Sequence, residues 1–427
     1  MRRDDLLRGL ETGALLPRLE PVYGAGAAAA AARLTELVLE FGEIFPCGDG
    51  TELLLFSTPG RTELGGNHTD HQRGHGLCAS VDLDTIACVA PNGSRTIRIK
   101  SRHHRIAEVD LDDLSIHPEE TGNSVALVRG IAARVEQLGY PVTGFDAYTT
   151  TRVLRGSGLS SSAAFEVLVG TILNHLFCGR TFTPIQVAQI GQYTENVYFG
   201  KPCGLMDQLS CSVGGVIAVD FANESEPAIR RVHTDLSSYG HALCIVDTRA
   251  SHADLTADYA AIPQEMREAA ACFGREVLGE VDPAVFRESI PLVRATCGDR
   301  AMLRAHHFFL DDALALRECD ALARGDFDEF LRCVNRSGRS SYMYLQNVSN
   351  YRESRSQPVA VLLAVAEALL ADRGACRVHG GGFAGTIQAF VPLDLLDEFV
   401  CGMEAVAGEG ACHVLDLRGS GSVLLLQ

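Results

Sequence analysis

Arg155-Gly156-Ser157-Gly158-Leu159-Ser160-Ser161-Ser162-Ala163-Ala164 constrains this chain more than any other stretch. Its two glycines permit a tight turn with N–H groups facing inward. Three serines add hydroxyl donors, and two alanines open a helix. Phe145 to Leu154, rich in Thr, Tyr and Val, predicts a strand before the loop. Phe165, Leu168, Val169, Ile172, Leu173 and Leu176 predict a buried helix face after it. A helix N-terminus offers free N–H groups and a partial positive charge, so the setting suits a phosphate. No Gly-Lys-Ser/Thr follows, so this is not a Walker loop, and the third glycine of the dinucleotide fingerprint is missing. A flexible Gly/Ser connection remains the competing reading, and other motifs must decide.

At 427 residues the chain exceeds one core, and two or three domains are expected. A net charge of −17 argues against nucleic acid or an anionic membrane as main partner. Fourteen cysteines include no C-x-x-C pair, which argues against zinc ribbons and disulfide frameworks and fits a reducing cytoplasm. No apolar signal core follows Arg2 and Arg3. The run Ala27–Ala32 meets Arg33 and Glu36, which predicts a surface helix and no membrane span.

In order, residues 1 to about 43 predict two helices, packed as an extension on the first domain. Leu53–Phe56 predicts a short strand, leading into a glycine-rich connection from Thr58 to His71. That connection carries Arg61, Glu63, Asn67, His68, Asp70 and His71, and short polar groups of this kind suit sugar hydroxyls, which both donate and accept. A metal site at His68, Asp70 and His71 is the weaker reading, because no other cluster supplies spaced ligands. Val81–Ala90 and Thr96–Lys100 predict strands, and Val125–Leu138 a helix. Thr183-Pro184-Ile185-Gln186 predicts a capping box opening a helix that carries Glu195 near its end, with Gly200 and Pro202 as its stop. In Gly204-Leu205-Met206-Asp207-Gln208-Leu209 the acid stands in an apolar setting, either functional or a structural cap. The polar run Asn223–Pro227 is a candidate domain boundary. His241–Asp247 predicts a strand, and Asp258–Leu278 a helix with Tyr259 at its start. Helices are expected over much of 300–370. Gly380, Gly382 and Gly385 precede a strand at Thr386–Val391, so they predict a tight turn between strands instead of a dinucleotide site.

Taken in order, these stretches resemble the GHMP family of small-molecule kinases over roughly residues 55 to 395. Pro59-Gly60-Arg61 and Gly66-Asn67-His68-Thr69-Asp70 resemble the galactokinase signature of that family, Gly156–Ala164 its phosphate loop, Gly204–Gln208 the segment with the catalytic aspartate, and Gly380–Gly385 its third motif. The resemblance implies an α/β (α+β) fold, with an N-terminal mixed-sheet domain at 1–225, including a helical extension over 1–50. A ferredoxin-like domain is expected at 226–427, with the active site between the two. It implies catalytic roles for Asp207 and Arg61. Sugar contacts would come from Asn67, His68, Thr69, Asp70, Gly204 and Tyr259. ATP would bind at Gly156, Ser157, Gly158, Leu159, Ser160, Ser161 and Ser162, with Mg2+ on Ser162 and Glu195. The expected activity is ATP-dependent phosphorylation of the C1 hydroxyl of galactose, by a cytoplasmic monomer or weak homo-oligomer whose partners are the sugar and ATP.

Galactokinases usually carry Asn where Glu63 stands, a branched residue where Gly65 stands, and Glu where Asn67 stands, and the last normally contacts the C6 hydroxyl of the sugar. His71-Gln72 replaces the usual Tyr-Asn. A neutral Asn67 facing the substrate would tolerate a C6 carboxylate, so a kinase for galacturonic acid or another C6-altered sugar is the alternative. A non-catalytic galactose and ATP sensor is a further one, which the intact Ala163-Ala164, Asp207 and Arg61 disfavour.

Overall fold

The structure, a computed structural model, describes every residue except 47, 49, 103, 155–157, 251–254, 350 and 352. Its strands are β1 (Leu54–Gly65), β2 (His75–Pro91), β3 (Thr96–Ser101), β4 (Ile106–Asp110), β5 (Phe145–Thr151), β6 (Val216–Asp220), β7 (Ala228–Val232), β8 (His241–Asp247), β9 (Ala375–His379), β10 (Thr386–Pro392), β11 (Cys412–Leu415) and β12 (Val423–Leu426). Its helices are α1 (Arg3–Glu11), α2 (Leu16–Tyr23), α3 (Ala27–Ile44), α4 (Ser124–Gln137), α5 (Ser161–Leu176), α6 (Pro184–Thr194), α7 (Met206–Val213), α8 (Thr256–Ala271), α9 (Pro283–Glu288), α10 (Ile290–Arg324), α11 (Phe327–Ser340), α12 (Pro358–Leu370) and α13 (Leu396–Ala407). The larger sheet runs β12-β1-β2-β5-β3-β4, with β6 pairing β2 and β7. Its pairings are antiparallel except β3 with β5. The smaller sheet is antiparallel in the order β11-β8-β10-β9.

Successive residues of a strand face opposite sides of a sheet, and both sides of the larger sheet are covered. Phe56, Ala87, Val89, Phe145 and Ala147 pack with Val128, Ile131, Val135, Leu168 and Ile172 of α4 and α5. Their neighbours Leu55, Ile86, Cys88 and Tyr148 pack with Leu6, Leu19, Leu34, Leu37, Val38 and Phe41 of the N-terminal helices. Those helices number three where two were expected, because a turn at Gly24–Gly26, with Gly24 at φ 51°, separates α2 from α3. The stretch Leu16–Ile44 is apolar enough to cross a membrane by length and composition, yet here it is two helices laid on a sheet.

A buried carboxylate ties these layers together. Asp84 on β2 accepts hydrogen bonds from Tyr23 Oη at 2.8 Å, Arg33 at 2.9 Å, Ser57 Oγ at 2.6 Å and Arg418 at 3.4 Å. Burial raises its pKa, but the Arg33 and Arg418 charges outweigh that and hold it below the ordinary carboxylate range.

The segment expected to be a connection from Thr58 onward is instead strand as far as Gly65. It pairs with β2 along its length, with register shifts between Pro59 and Arg61 and between Glu63 and Gly65. Pro59 lacks an N–H, and such irregularities let a strand carry it. The bared Gly60 admits the phosphate loop, since a methyl group there would press on Val153 and on the Leu159 carbonyl. The Arg61 N–H then donates to that carbonyl at 3.1 Å.

Other expectations match closely. Thr183 accepts from the Gln186 N–H while Gln186 caps Thr183, the full capping box. The helix of Tyr259 ends at Ala271 and not at Leu278, which lies in a short 3-10 turn after Gly274 at φ 68°. The long α10 breaks at Gly298, whose φ is 87°. The polar run at 223–227 joins β6 to β7, both strands of the larger sheet, and β12 returns to that sheet beside β1. The expected division at 225/226 therefore falls inside a hairpin.

Candidate active site

Arg61, on the buried β1, reaches across to Asp207 in the first turn of α7. Its Nε donates to Asp207 Oδ1 at 2.7 Å, and another guanidinium nitrogen donates to the Gly158 carbonyl. Ser160 donates its hydroxyl to the other oxygen, Asp207 Oδ2. The Asp207 side chain is still 34% exposed. Burial raises its pKa, but the Arg61 charge, the Arg61 hydrogen bond and the Ser160 hydroxyl pull it down further, below the usual value. Asp207 is therefore an ionised carboxylate at neutral pH, able to accept a proton.

Of the phosphate loop, Gly156 and Ser157 lie outside the described residues. Gly158 has φ 69°, and a methyl group on it would press on His379 Nδ1 and Thr386 Oγ1 at 2.8 and 2.9 Å, so the loop lies directly on the smaller sheet. Leu159 is buried in the core. Ser160 adopts the left-handed conformation (φ 55°) at the N-cap of α5 and makes no cap bond to the helix. The first-turn N–H groups of Ser161, Ser162 and Ala163 thus keep no side-chain cap from Ser160, as an anion site requires.

Ser162 Oγ lies 3.5 Å from Glu195 Oε1, and Lys201 Nζ lies 3.4 Å from the same oxygen. Glu195 follows α6 in a π-turn, which swings its side chain inward to 3% exposure. Sequence reasoning missed its neighbour Glu166, one turn beyond Ser162 on α5. Gln208 donates to Glu166 Oε2 and to Glu195 Oε2, both at 3.0 Å, so one amide holds two acids together. Burial first, and then the Glu195 charge, push the pKa of Glu166 well above the usual value.

The sugar-loop residues divide. His68 has φ 62°, stacks on His71 with ring centroids 6.0 Å apart, and sets Nε2 3.3 Å from the Gly381 carbonyl. Burial pushes its pKa down to about 3, so the ring is neutral. The Asp70 carboxylate lies over Gly204, where any side chain would overlap it. Tyr259 donates its hydroxyl to the Gly382 carbonyl at 2.7 Å and covers Gly381 with its ring. The other two residues are spent on the protein itself. Thr69 is fully buried, its hydroxyl between the carbonyls of Gly66 and His75 at 2.8 and 2.6 Å. Asn67 is 1% exposed. Its Nδ2 donates to Glu63 Oε1 and the Gly380 carbonyl, both at 2.8 Å, and its Oδ1 accepts from Asn347 at 2.9 Å and Ser341 at 3.3 Å. The expectation that the Asn67 amide faces a substrate is corrected: all four of its hydrogen-bonding positions are filled from within.

Behind the loop, Arg377 of β9 donates to Glu63 Oε1 at 2.7 Å and to the Leu64 carbonyl at 3.1 Å. Burial raises the Glu63 pKa to about 7 against the lowering pull of Arg377 and Arg61. His379 accepts the Glu63 N–H on Nε2 at 3.2 Å, so its proton sits on Nδ1, facing Thr386 Oγ1 at 3.1 Å.

A Gly/Ser loop opening a helix, an arginine-held aspartate and a glycine turn from a second sheet thus meet in one place. The model "GHMP kinases N terminal domain" matches residues 126–215, so the chain is similar to that family there. Within it, the model "Galactokinase galactose-binding signature" matches residues 40–91, which makes the chain a galactokinase-like GHMP sugar kinase. Lactococcus lactis galactokinase, solved with galactose, is similar at 26% identity with a TM-score of 0.79, covering 92% of this chain and 99% of that one. Methanococcus jannaschii mevalonate kinase (12% identity, TM-score 0.58, 86% and 98% covered) and Streptococcus pneumoniae phosphomevalonate kinase (11%, 0.57, 87% and 99%) share the fold.

Proposed function

We propose that the chain transfers the γ-phosphoryl group of ATP to the C1 hydroxyl of galactose, giving galactose 1-phosphate and ADP. The observation that carries this reading is Asp207, ionised and partly exposed, held between Arg61 and Ser160 of the Gly/Ser loop. The α5 N-terminus would cradle the phosphates of ATP. Asp207 would accept the C1 hydroxyl proton as that oxygen bonds to the γ-phosphorus and the bond from phosphorus to the ADP oxygen breaks. Arg61 would offset charge in the transition state, which phosphoryl transfer requires more than covalent help. The Ser162 hydroxyl and Glu195 carboxylate form an all-oxygen donor pair, which suits Mg2+. Bound there, the ion would neutralise phosphate charge.

His68, Asp70, Gly204 and Tyr259 remain as the sugar-side residues. Asn67 was one motive for a galacturonate kinase, and its amide is bound within the protein; the Asp70-His71-Gln72 stretch, the other motive, stands. The test is a coupled ADP-release assay over galactose, galacturonate, glucose and a sugar-free control. Galactose should give the highest kcat/KM. A preference for galacturonate of about tenfold or more, roughly 1.4 kcal/mol, would overturn the choice of sugar, and no sugar-dependent ADP release would return the chain to the sensor reading.

A further inference from the structure

The end of β1 runs into the sugar loop through Asn67, and Asn67 bonds to several elements at once. Its N–H donates to Asp311 Oδ2 at 2.6 Å and its carbonyl accepts from His307 Nε2 at 3.0 Å, both on α10. Its side chain reaches Glu63 on β1, Gly380 in the glycine turn, and Ser341 and Asn347 beyond α11. Asn347 also donates to the Gly381 carbonyl at 3.2 Å, the same atom that His68 approaches. The position of His68 relative to the glycine turn is thus set one residue away, by Asn67.

One acceptor in this buried cluster gathers its hydrogen bonds. Arg377 and Asn67 converge as donors on a single acceptor, Glu63 Oε1. Glu318 is fully buried against Gly65, and neither of its oxygens has a hydrogen-bond partner among the described residues. Burial raises its pKa well above the usual value against the lowering pull of Arg377, whose hydrogen bond goes to Glu63 instead.

We propose that Glu63, Asn67 and Arg377 form a directional relay that positions the sugar loop on the glycine turn, with the single charge at 63 and the donor at 67 as its specificity-setting arrangement. The proposal rests on the sugar-kinase reading. It makes Asn67 and Glu63 positioning residues, acting on substrate through His68 and the turn. An acid at 67 would present no donor to Gly380 and would set two carboxylates at hydrogen-bond distance.

Asn67→Asp and Glu63→Gln, alone and combined, move the charge without changing the number of heavy atoms. At pH 8 the Asn67→Asp variant should raise the sugar KM by roughly tenfold, with a smaller effect on kcat. In the Glu63→Gln background the same substitution should cost less than about threefold, within the coupling range of contacting residues. Thermal unfolding of the four proteins should show the same sign of coupling. Additive effects on both KM and Tm overturn the relay. Coupling in Tm with KM unmoved overturns its positioning role and leaves a structural pair. A wild-type protein inactive on every sugar overturns the kinase reading, and the relay is then judged by the unfolding cycle and by calorimetric Kd for galactose, where additivity sinks it.

Discussion

Ser160 stands where a helix cap would stand and gives its hydroxyl to Asp207 instead of to its own helix. The residue that leaves the α5 N-terminus open is thereby the one that helps fix the Asp207 carboxylate. The open helix end and the fixed Asp207 carboxylate thus share one side chain.

Ser160→Gly separates these duties. Glycine suits φ 55° and the lost hydroxyl capped nothing, so Tm should hold or rise slightly, by about 0.5 kcal/mol of stability at most. Turnover should fall, because Asp207 loses one of its two fixed partners. Differential scanning calorimetry beside steady-state kinetics checks this, and a fallen Tm with intact turnover contradicts it.

Asp207→Asn keeps the shape and removes proton acceptance. Turnover should fall by about 10²–10⁴-fold while calorimetry still detects galactose. Arg61→Met should act differently. With the guanidinium gone, only the Ser160 hydroxyl and the Lys201 charge still oppose the raising effect of burial on Asp207, so the acid limb of the kcat profile should move to higher pH. An unmoved limb would free Asp207 from that arginine.

Glu195→Gln should raise the magnesium concentration needed for half-maximal rate and leave the fold intact. The amide keeps size but gives up the charge beside the Ser162 hydroxyl. A magnesium titration identical to wild type would assign Glu195 to holding Gln208 and Lys201 alone.

Glu63 is an acid whose folded pKa, about 7, lies above its ordinary value of 4.5. Below pH 4.5 both folded and unfolded forms carry the proton. As pH climbs from 4.5 to 7 the unfolded chain releases it first, so stability is lost over that window and then levels. The loss is on the order of 3 kcal/mol. Glu63→Gln should therefore gain on wild type across pH 4.5–7 in chemical denaturation, and a constant gap at all pH values would contradict the buried-acid reading.

Much of the site was legible because its motifs are local. The strand and helix around the loop, the capping box before Gln186 and the glycine turn at 380–385 follow from spacing and backbone preference alone. The continuation of β1 to Gly65 was not legible, since Pro59, Gly60 and Gly65 are poor strand residues that tertiary pairing overrides. Nor was the inward turn of Asn67. Glu63, Gly65 and Asn67 read as three separate departures from a signature, but they meet in space: Glu63 bonds Asn67, and the missing side chain of Gly65 leaves room for Glu318. Glu318 and Arg377 come from more than 240 positions downstream, and no window of sequence displays such a neighbour. Gln208, 42 positions from Glu166 and 13 from Glu195, was hidden as their clasp because it lies on a different helix from either.

The cluster at Asp84 has a consequence for how the chain is made. Its carboxylate is set in the sheet early in synthesis, while one of the two arginines that balance it, Arg418, emerges more than 300 residues later. A nascent first sheet must keep that acid hydrated or protonated, and so stay loose at its centre, until the last strands arrive. Native tightness in the N-terminal half then becomes a late event, governed by slow closure of a very long loop. Ribosome-bound chains halted before Arg418 should be cut readily by protease in the N-terminal helices, while released full-length chains resist.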